Sequence, residues 1–162
     1  MRGAVFAVAL ALLPGFAQAE VEVRDPWVAE GPPAATALAG YMQLRNPDAQ
    51  PRALVGGSSP EFGRVELHQT VQQGDIVRMV ALERIEIPAQ GEVALQPGGN
   101  HVMLIAPVKP LKAGDTVSLT LEFDDGSRQT LTLPVRKRPV GHGHHHERAH
   151  DHGHGQSPHH QH

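Results

Sequence analysis

The stretch RVELHQTVQQGDIVRMVALERIEIPAQGEVALQPGGNHVMLIA, residues 64–106, decides the fold. It holds short runs in which apolar side chains alternate with polar ones, as in Arg64–Gln69, Ile76–Leu82 and His101–Ala106. Alternation of period two marks half-buried strands, because successive side chains point to opposite faces of a sheet. Gln73-Gly74-Asp75 and Pro97-Gly98-Gly99-Asn100 break the runs with turn residues. The same pattern continues outward. Strands are expected at Val21–Val28, Leu38–Arg45, Arg52–Gly56, Ile85–Ile87, Glu92–Leu95, Thr116–Phe123 and Gln129–Val135, with breaks at Asn46-Pro47-Asp48, Ala113-Gly114-Asp115 and Asp124-Asp125-Gly126. Regular spacing with few helix-period stretches predicts an all-β domain, a β-sandwich or barrel of about seven to nine strands. Trp27 and Tyr41, on the first two strands, read as core residues, and Met42 as packing.

The ends of the sequence differ from this middle. Met1-Arg2-Gly3, an apolar run from Ala4 to Phe16 and Ala17-Gln18-Ala19 have the three parts of a secretory signal peptide, residues 1–19. Pro14-Gly15 and the shortness of the run argue against a membrane span. The mature chain is then expected to be soluble and exported, without membrane insertion. Beyond Arg136-Lys137-Arg138-Pro139 the sequence reads GHGHHHERAHDHGHGQSPHHQH, with no apolar residue larger than Ala149. Such a segment buries too little surface to offset its ordering entropy, so residues 139–162 are expected to be a disordered tail after a domain spanning 20–138.

The composition narrows the chemistry. There is no cysteine, which removes disulfides, thiolate metal sites, iron–sulfur clusters, thiol nucleophiles and any lipid anchor needing an N-terminal cysteine. Fourteen basic against seventeen acidic residues give a formal charge of −3, no footprint for nucleic acid. No nucleophile motif surrounds the serines, and Pro97-Gly98-Gly99 lacks the lysine of a phosphate loop, so no enzyme is expected. Histidine is abundant instead: twelve, ten of them between His142 and His162.

Within the domain the chemistry-bearing residues are His68, His101, Met79 and Met103. His101 and Met103 are two apart on a strand, so imidazole and thioether share a face. His68 faces away from Val65 and Leu67, and Met79 on the following strand is near enough through a hairpin to approach it. Taken singly, each of these residues reads more simply as packing or a hydrogen-bonded strand histidine. Taken together, in a thiol-free exported chain, two imidazoles and two thioethers form a soft neutral donor set that suits copper(I) better than zinc, magnesium or calcium. The tail imidazoles, densest at His142, His144, His145 and His146, suit copper(II), nickel(II) or zinc(II).

The spacing His68, ten residues, Met79, twenty-one residues, His101, one residue, Met103 resembles the H-x10-M-x21-H-x-M signature of the PCu(A)C periplasmic copper chaperones. Asp25-Pro26-Trp27-Val28, Ala39-Gly40-Tyr41-Met42, Val65-Glu66-Leu67-His68, Ile87-Pro88-Ala89, Leu95-Gln96-Pro97-Gly98-Gly99-Asn100-His101 and Pro110-Leu111-Lys112-Ala113-Gly114-Asp115 are similar to other stretches of that family. The resemblance covers Val21 to Arg136. It implies a cupredoxin-like, immunoglobulin-like β-sandwich whose His68, Met79, His101 and Met103 meet around one copper(I). It also implies a periplasmic monomer that hands copper towards the copper A centre of cytochrome oxidase, directly or through a Sco-type protein. The rival expectation is a metal buffer or zinc- and copper-scavenging protein that works mainly through its tail.

Overall fold

A computed structural model describes residues 19–138. The expected signal peptide, apart from Ala19, and the whole tail with His142, His144, His145 and His146 lie outside the described residues. Ten strands are formed: β1 (Glu22–Ala29), β2 (Ala37–Arg45), β3 (Arg52–Ser58), β4 (Phe62–Gln73), β5 (Ile76–Leu82), β6 (Ile85–Ile87), β7 (Glu92–Leu95), β8 (Asn100–Pro107), β9 (Thr116–Phe123) and β10 (Arg128–Arg136). Each expected run is a strand. The ten strands match the ten expected runs, β6 and β7 included, and exceed the seven to nine expected for the sandwich or barrel as a whole.

The strands lie in the order β5-β4-β8-β7-β2-β1-β10-β9-β3-β6. Strand β2 is shared: Ala37–Gly40 pair with β8, and Met42–Arg45 pair with β7. A parallel pairing of Val28 with Val135 and Ala29 with Arg136 links β1 to β10, and so joins the two halves of the sheet. One core lies between them. Leu38, Met42, Leu44, Leu67, Val102 and Leu104 come from one half, and Leu54, Leu119, Leu121, Phe123 and Leu133 from the other. The alternation is plain in β9, where Val117, Leu119, Leu121 and Phe123 face inward and the residues between them do not. Met42 is core packing, as its sequence position suggested.

Two local departures shape the outer face of the β4–β8–β2–β1 layer. Strand β1 carries a bulge: Arg24 pairs with Gln43 but Trp27 pairs with Tyr41, so three steps on β1 match two on β2. Asp25, at φ +46°, absorbs the extra residue. The bulge reverses the facing of the residues after it, and Trp27 lands beside Tyr41 on the face opposite the core. The expectation that both are core residues is therefore corrected. Tyr41 is only 5% exposed, yet its ring packs on Trp27, with centroids 4.9 Å apart, outside the aliphatic cluster.

The second departure is the β4–β5 hairpin, closed by Gly74-Asp75 with Gln73 paired to Ile76. Gly74 has φ +62°, which a two-residue hairpin turn demands and a side chain resists. Strand β5 is the sheet's outermost strand on this side, and Ile76, Val77, Met79 and Val80 are all exposed.

Elsewhere a buried amide holds the long connections together. The Asn46 side chain donates to the carbonyls of Gln50 at 2.8 Å and Pro88 at 3.2 Å, and accepts from the Asp48 amide at 3.0 Å. Asn46→Ala leaves those partners unmatched and is expected to lower stability by about 2–4 kcal/mol. Urea unfolding of the two proteins measures it, and a loss below about 0.5 kcal/mol would contradict this role.

Candidate metal centre

Strands β4 and β8 pair antiparallel, with His68 opposite His101, Leu67 opposite Val102 and Glu66 opposite Met103. Leu67, Val102 and Leu104 belong to the core, so the alternate residues His68, Glu66, His101 and Met103 must occupy the other face. The two imidazole rings stand 5.9 Å apart between centroids, inclined at 48°. Met79 on β5 pairs with Thr70, two residues from His68, and therefore shares that face. Its thioether lines a depression of about 390 Å³ together with Met103, Ala29, Ala39 and Arg138. Met103 also lines the adjoining depression that contains His68 and Glu66. It thus stands between Met79 and the first histidine.

Each ring is oriented by a bond that settles its tautomer. Gln96-Pro97-Gly98-Gly99 forms a turn in which the Gly99 amide donates to the Gln96 carbonyl at 3.0 Å. Proline in the second position and Gly98 at φ +81° in the third suit a type II turn. The turn presents the Gly99 carbonyl to His101, whose Nδ1–H donates to it at 3.1 Å; the Thr70 amide donates to the same oxygen. The His68 Nε2–H donates to Glu66 Oε2 at 2.9 Å, while Glu66 Oε1 receives Arg64 Nε at 2.8 Å. With those protons placed, His68 Nδ1 and His101 Nε2 carry free lone pairs.

Both lone pairs are buried and unpartnered. Among the described residues only three buried side-chain polar atoms lack a hydrogen-bond partner, and two of them are these ring nitrogens; the third is Asn100 Oδ1. A buried unsatisfied polar atom costs about 1–3 kcal/mol. Two such acceptors on neighbouring rings are what a cation would satisfy. No group of three or more His, Asp or Glu side chains is gathered for a metal among the described residues. The free donors on this face are neutral: the imidazoles of His68 and His101 and the thioether of Met103. Met79 lies in the adjoining depression that Met103 also lines, and the Glu66 carboxylate is engaged by His68 and Arg64.

The electrostatics agree with that neutrality. Burial pushes the His101 imidazole below its ordinary value; the Gly99 bond opposes this, and the nearby His68 adds to it. Glu66 is held below the usual carboxylate range, first by its hydrogen bond with His68 and then by Arg64. The aromatic rings extend the site sideways: Tyr41 lies 6.3 Å from His101, and Trp27 lies beyond Tyr41. Burial raises the Tyr41 hydroxyl, and the charge of Arg138 works against that rise.

Sequence reading missed two contributors. Glu66 was detectable, since it is two residues from His68 and must share its face. The Trp27–Tyr41 wall was not, because it depends on the bulge at Asp25.

Residues 21–135 match the family described as "Putative lipoprotein LpqE-like". The chain belongs to this PCuAC-related family. A curated relative, "Putative lipoprotein Lxx21020" of Leifsonia xyli subsp. xyli, is 34% identical over 134 residues, which is 82% of this chain and 80% of the relative. Among solved structures, copper(I)-bound DR1885 from Deinococcus radiodurans is 36% identical with a TM-score of 0.63, over 78% of this chain and 85% of that one. The copper-bound PCuAC domain of PmoF2 superposes with a TM-score of 0.64 over 76% of this chain and 97% of that one; at 24% identity that likeness speaks to the fold. The fold is the cupredoxin-like sandwich that the resemblance implied.

Two outcomes are expected for the metal-free domain, both readable by imidazole NMR. His101 should titrate below about 6.5, the ordinary value for histidine. Its folded value is depressed, so the unfolded chain binds the extra proton first. The stability this group contributes is full above the unfolded value and is lost as pH falls below it. His68 is expected to show a single Nε2–H tautomer that becomes mixed in Glu66→Ala. A His101 titration at or above about 6.5, or an unchanged tautomer in that variant, would contradict these assignments.

Proposed function

We propose that this protein is an exported copper carrier that holds copper(I) between His68, Met79, His101 and Met103 and passes it to an acceptor protein. The observation that carries the reading is the pair of orphaned ring nitrogens, His68 Nδ1 and His101 Nε2, on facing imidazoles with Met103 on the same sheet face. The copper(I)-bound state of DR1885, at 36% identity, supports copper as the cargo.

Ligand chemistry supplies the mechanism. Copper(I) is a d¹⁰ ion that accepts three or four soft donors without an anionic one. Neutral imidazole and thioether hold it less firmly than thiolate does, so transfer to a cysteine-rich acceptor runs downhill. Met79 is 60% exposed and sits on the outermost strand, whereas His101 is 2% exposed. An incoming ligand would therefore displace the Met79 thioether first, with the two histidines releasing the ion last. The acceptor is the copper A subunit of cytochrome oxidase or a Sco-type protein serving it. The carrier acts as a monomer in the periplasm and catalyses no reaction. The tail, through His142, His144, His145 and His146, captures copper(II).

Anaerobic copper(I) competition titrations test the reading. One ion per chain is expected, with affinity reduced about tenfold or more in Met79→Leu and Met103→Leu, which roughly conserve volume. Larger losses are expected in His68→Ala and His101→Ala. Unchanged affinity in all four variants, with copper or zinc binding abolished by removal of residues 139–162, would favour the tail-based buffer instead.

A further inference from the structure

The two ends of the sheet are finished in opposite ways. At one end β6 has three residues, with Ile85 and Ile87 buried and Glu86 exposed and paired with Arg84 at 2.6 Å. A short, charged edge of this kind resists pairing with a further strand. At the other end β5 runs seven residues, Ile76–Leu82, in unbroken register with β4. It contains no proline, lysine, carboxylate or bulge, and Ile76, Val77, Met79 and Val80 are exposed. Of the devices that blunt a sheet edge, β5 has only one charge, Arg78.

The hairpin geometry settles which main-chain groups this edge offers. The Gly74-Asp75 turn closes on the Gln73–Ile76 pair, so every second pair counted from it exchanges hydrogen bonds across the hairpin. Thr70 and Met79 form a pair of the other kind, and the Thr70 amide accordingly donates to the Gly99 carbonyl on its far side. The N–H and C=O groups of Val77, Met79 and Ala81 therefore point away from β4, to the open side of the sheet. Their side chains share the face of His68, while Ile76, Arg78 and Val80 flank the edge on the other face. Arg78 is exposed and forms no ion pair among the described residues.

We infer that the copper-receiving protein docks by adding an extended, mainly apolar segment to the free edge of β5, with a carboxylate beside Arg78. This deepens the copper-carrier reading and rests on it. Main-chain hydrogen bonds to Val77, Met79 and Ala81 hold such a segment, and the apolar flanks on both faces select its side chains. Charge decides the occupant. A partner strand with a carboxylate complements Arg78, whereas a second copy of β5 brings another cation and no carboxylate. The edge is also continuous with the site, since its middle residue is Met79, the thioether displaced first. The side chain directly opposite Met79 on the added strand has its Cβ about 4.5–5.5 Å away. A thiolate or thioether at that position reaches the ion as Met79 leaves it: one copper–sulfur bond forms, one breaks, and copper(I) stays copper(I). Docking and ligand exchange are then a single event that keeps the ion out of water.

The test mixes the full mature chain with two probes in separate arms, an apo copper A domain and an apo Sco-type protein. With at least one of them, amide hydrogen exchange read by NMR should slow about tenfold or more at Val77, Met79 and Ala81. The amides of Arg78 and Val80, already bonded to β4, should change little. Two variants then challenge the edge: Val77→Pro removes an outward N–H at a place where edge strands tolerate proline, and Arg78→Glu reverses the charge. Each should slow copper(I) transfer from the loaded chain about tenfold or more and leave copper(I) affinity unchanged. Should Val77→Pro lower that affinity, Arg78→Glu decides alone. Transfer at the parent rate in either variant, or unprotected amides with both probes, would overturn the inference and leave the carrier reading standing. Protection that grows with the concentration of the chain alone would assign the edge to a second copy and overturn it as well. If copper(I) ignores His68, Met79, His101 and Met103 in the titrations above, the carrier reading falls instead, and exchange at β5 still reports separately on docking.

Discussion

The antiparallel register of β4 against β8 is the constraint on which the rest depends. Pairing Leu67 with Val102 and Val65 with Leu104 directs one side of both strands into the aliphatic core, and this forces His68 and His101 to stand opposite each other on the other side. A slip of one residue would exchange the faces, burying imidazole among leucines and exposing the core side chains. The hydrophobic effect thus fixes the position of a polar site it does not itself touch.

Around that pair, the orientation of each ring is set locally and by unlike means. A turn built on Pro97 and Gly98 presents the Gly99 carbonyl to one imidazole, while a carboxylate two residues away on the same strand holds the other. The consequence is asymmetric: His68 is left with Nδ1 free and His101 with Nε2 free. The apo domain keeps two unpaired acceptors in a low-dielectric setting, a cost in stability of the kind found where structure is retained for binding. Tyr41 and Trp27 close the side of the site next to His101. The other side, at β5, is left open, with its thioether in solvent.

Most of the strand pattern was legible because alternation and turn residues are local properties. The Gln73-Gly74-Asp75 and Pro97-Gly98-Gly99 turns fall where their dihedral demands predict. The shared face of His101 and Met103 comes from strand period alone. Trp27 and Tyr41 show where this reasoning stops. Period two assigns Trp27 to the core, but one inserted residue at Asp25 reverses its facing, and Tyr41 is buried by rings on the outer surface rather than by the core. Met79 could be placed near His68 from the hairpin, yet its solvent exposure, and the arrival of Arg138 in the same depression, could not be read from spacing.

The amino-acid sequence by itself determined an all-β domain, the absence of thiol chemistry and the imidazole–thioether composition of the candidate site. Each of these rests on residue identity and short-range periodicity. Only the tertiary structure decided that β4 pairs with β8 rather than with β5 alone, which lone pairs are left free, and that Arg138, just after β10, lines the same depression as Met79 and Met103. Those outcomes arise from contacts between residues far apart in the chain, selected by the burial of one shared core, and no local pattern encodes them.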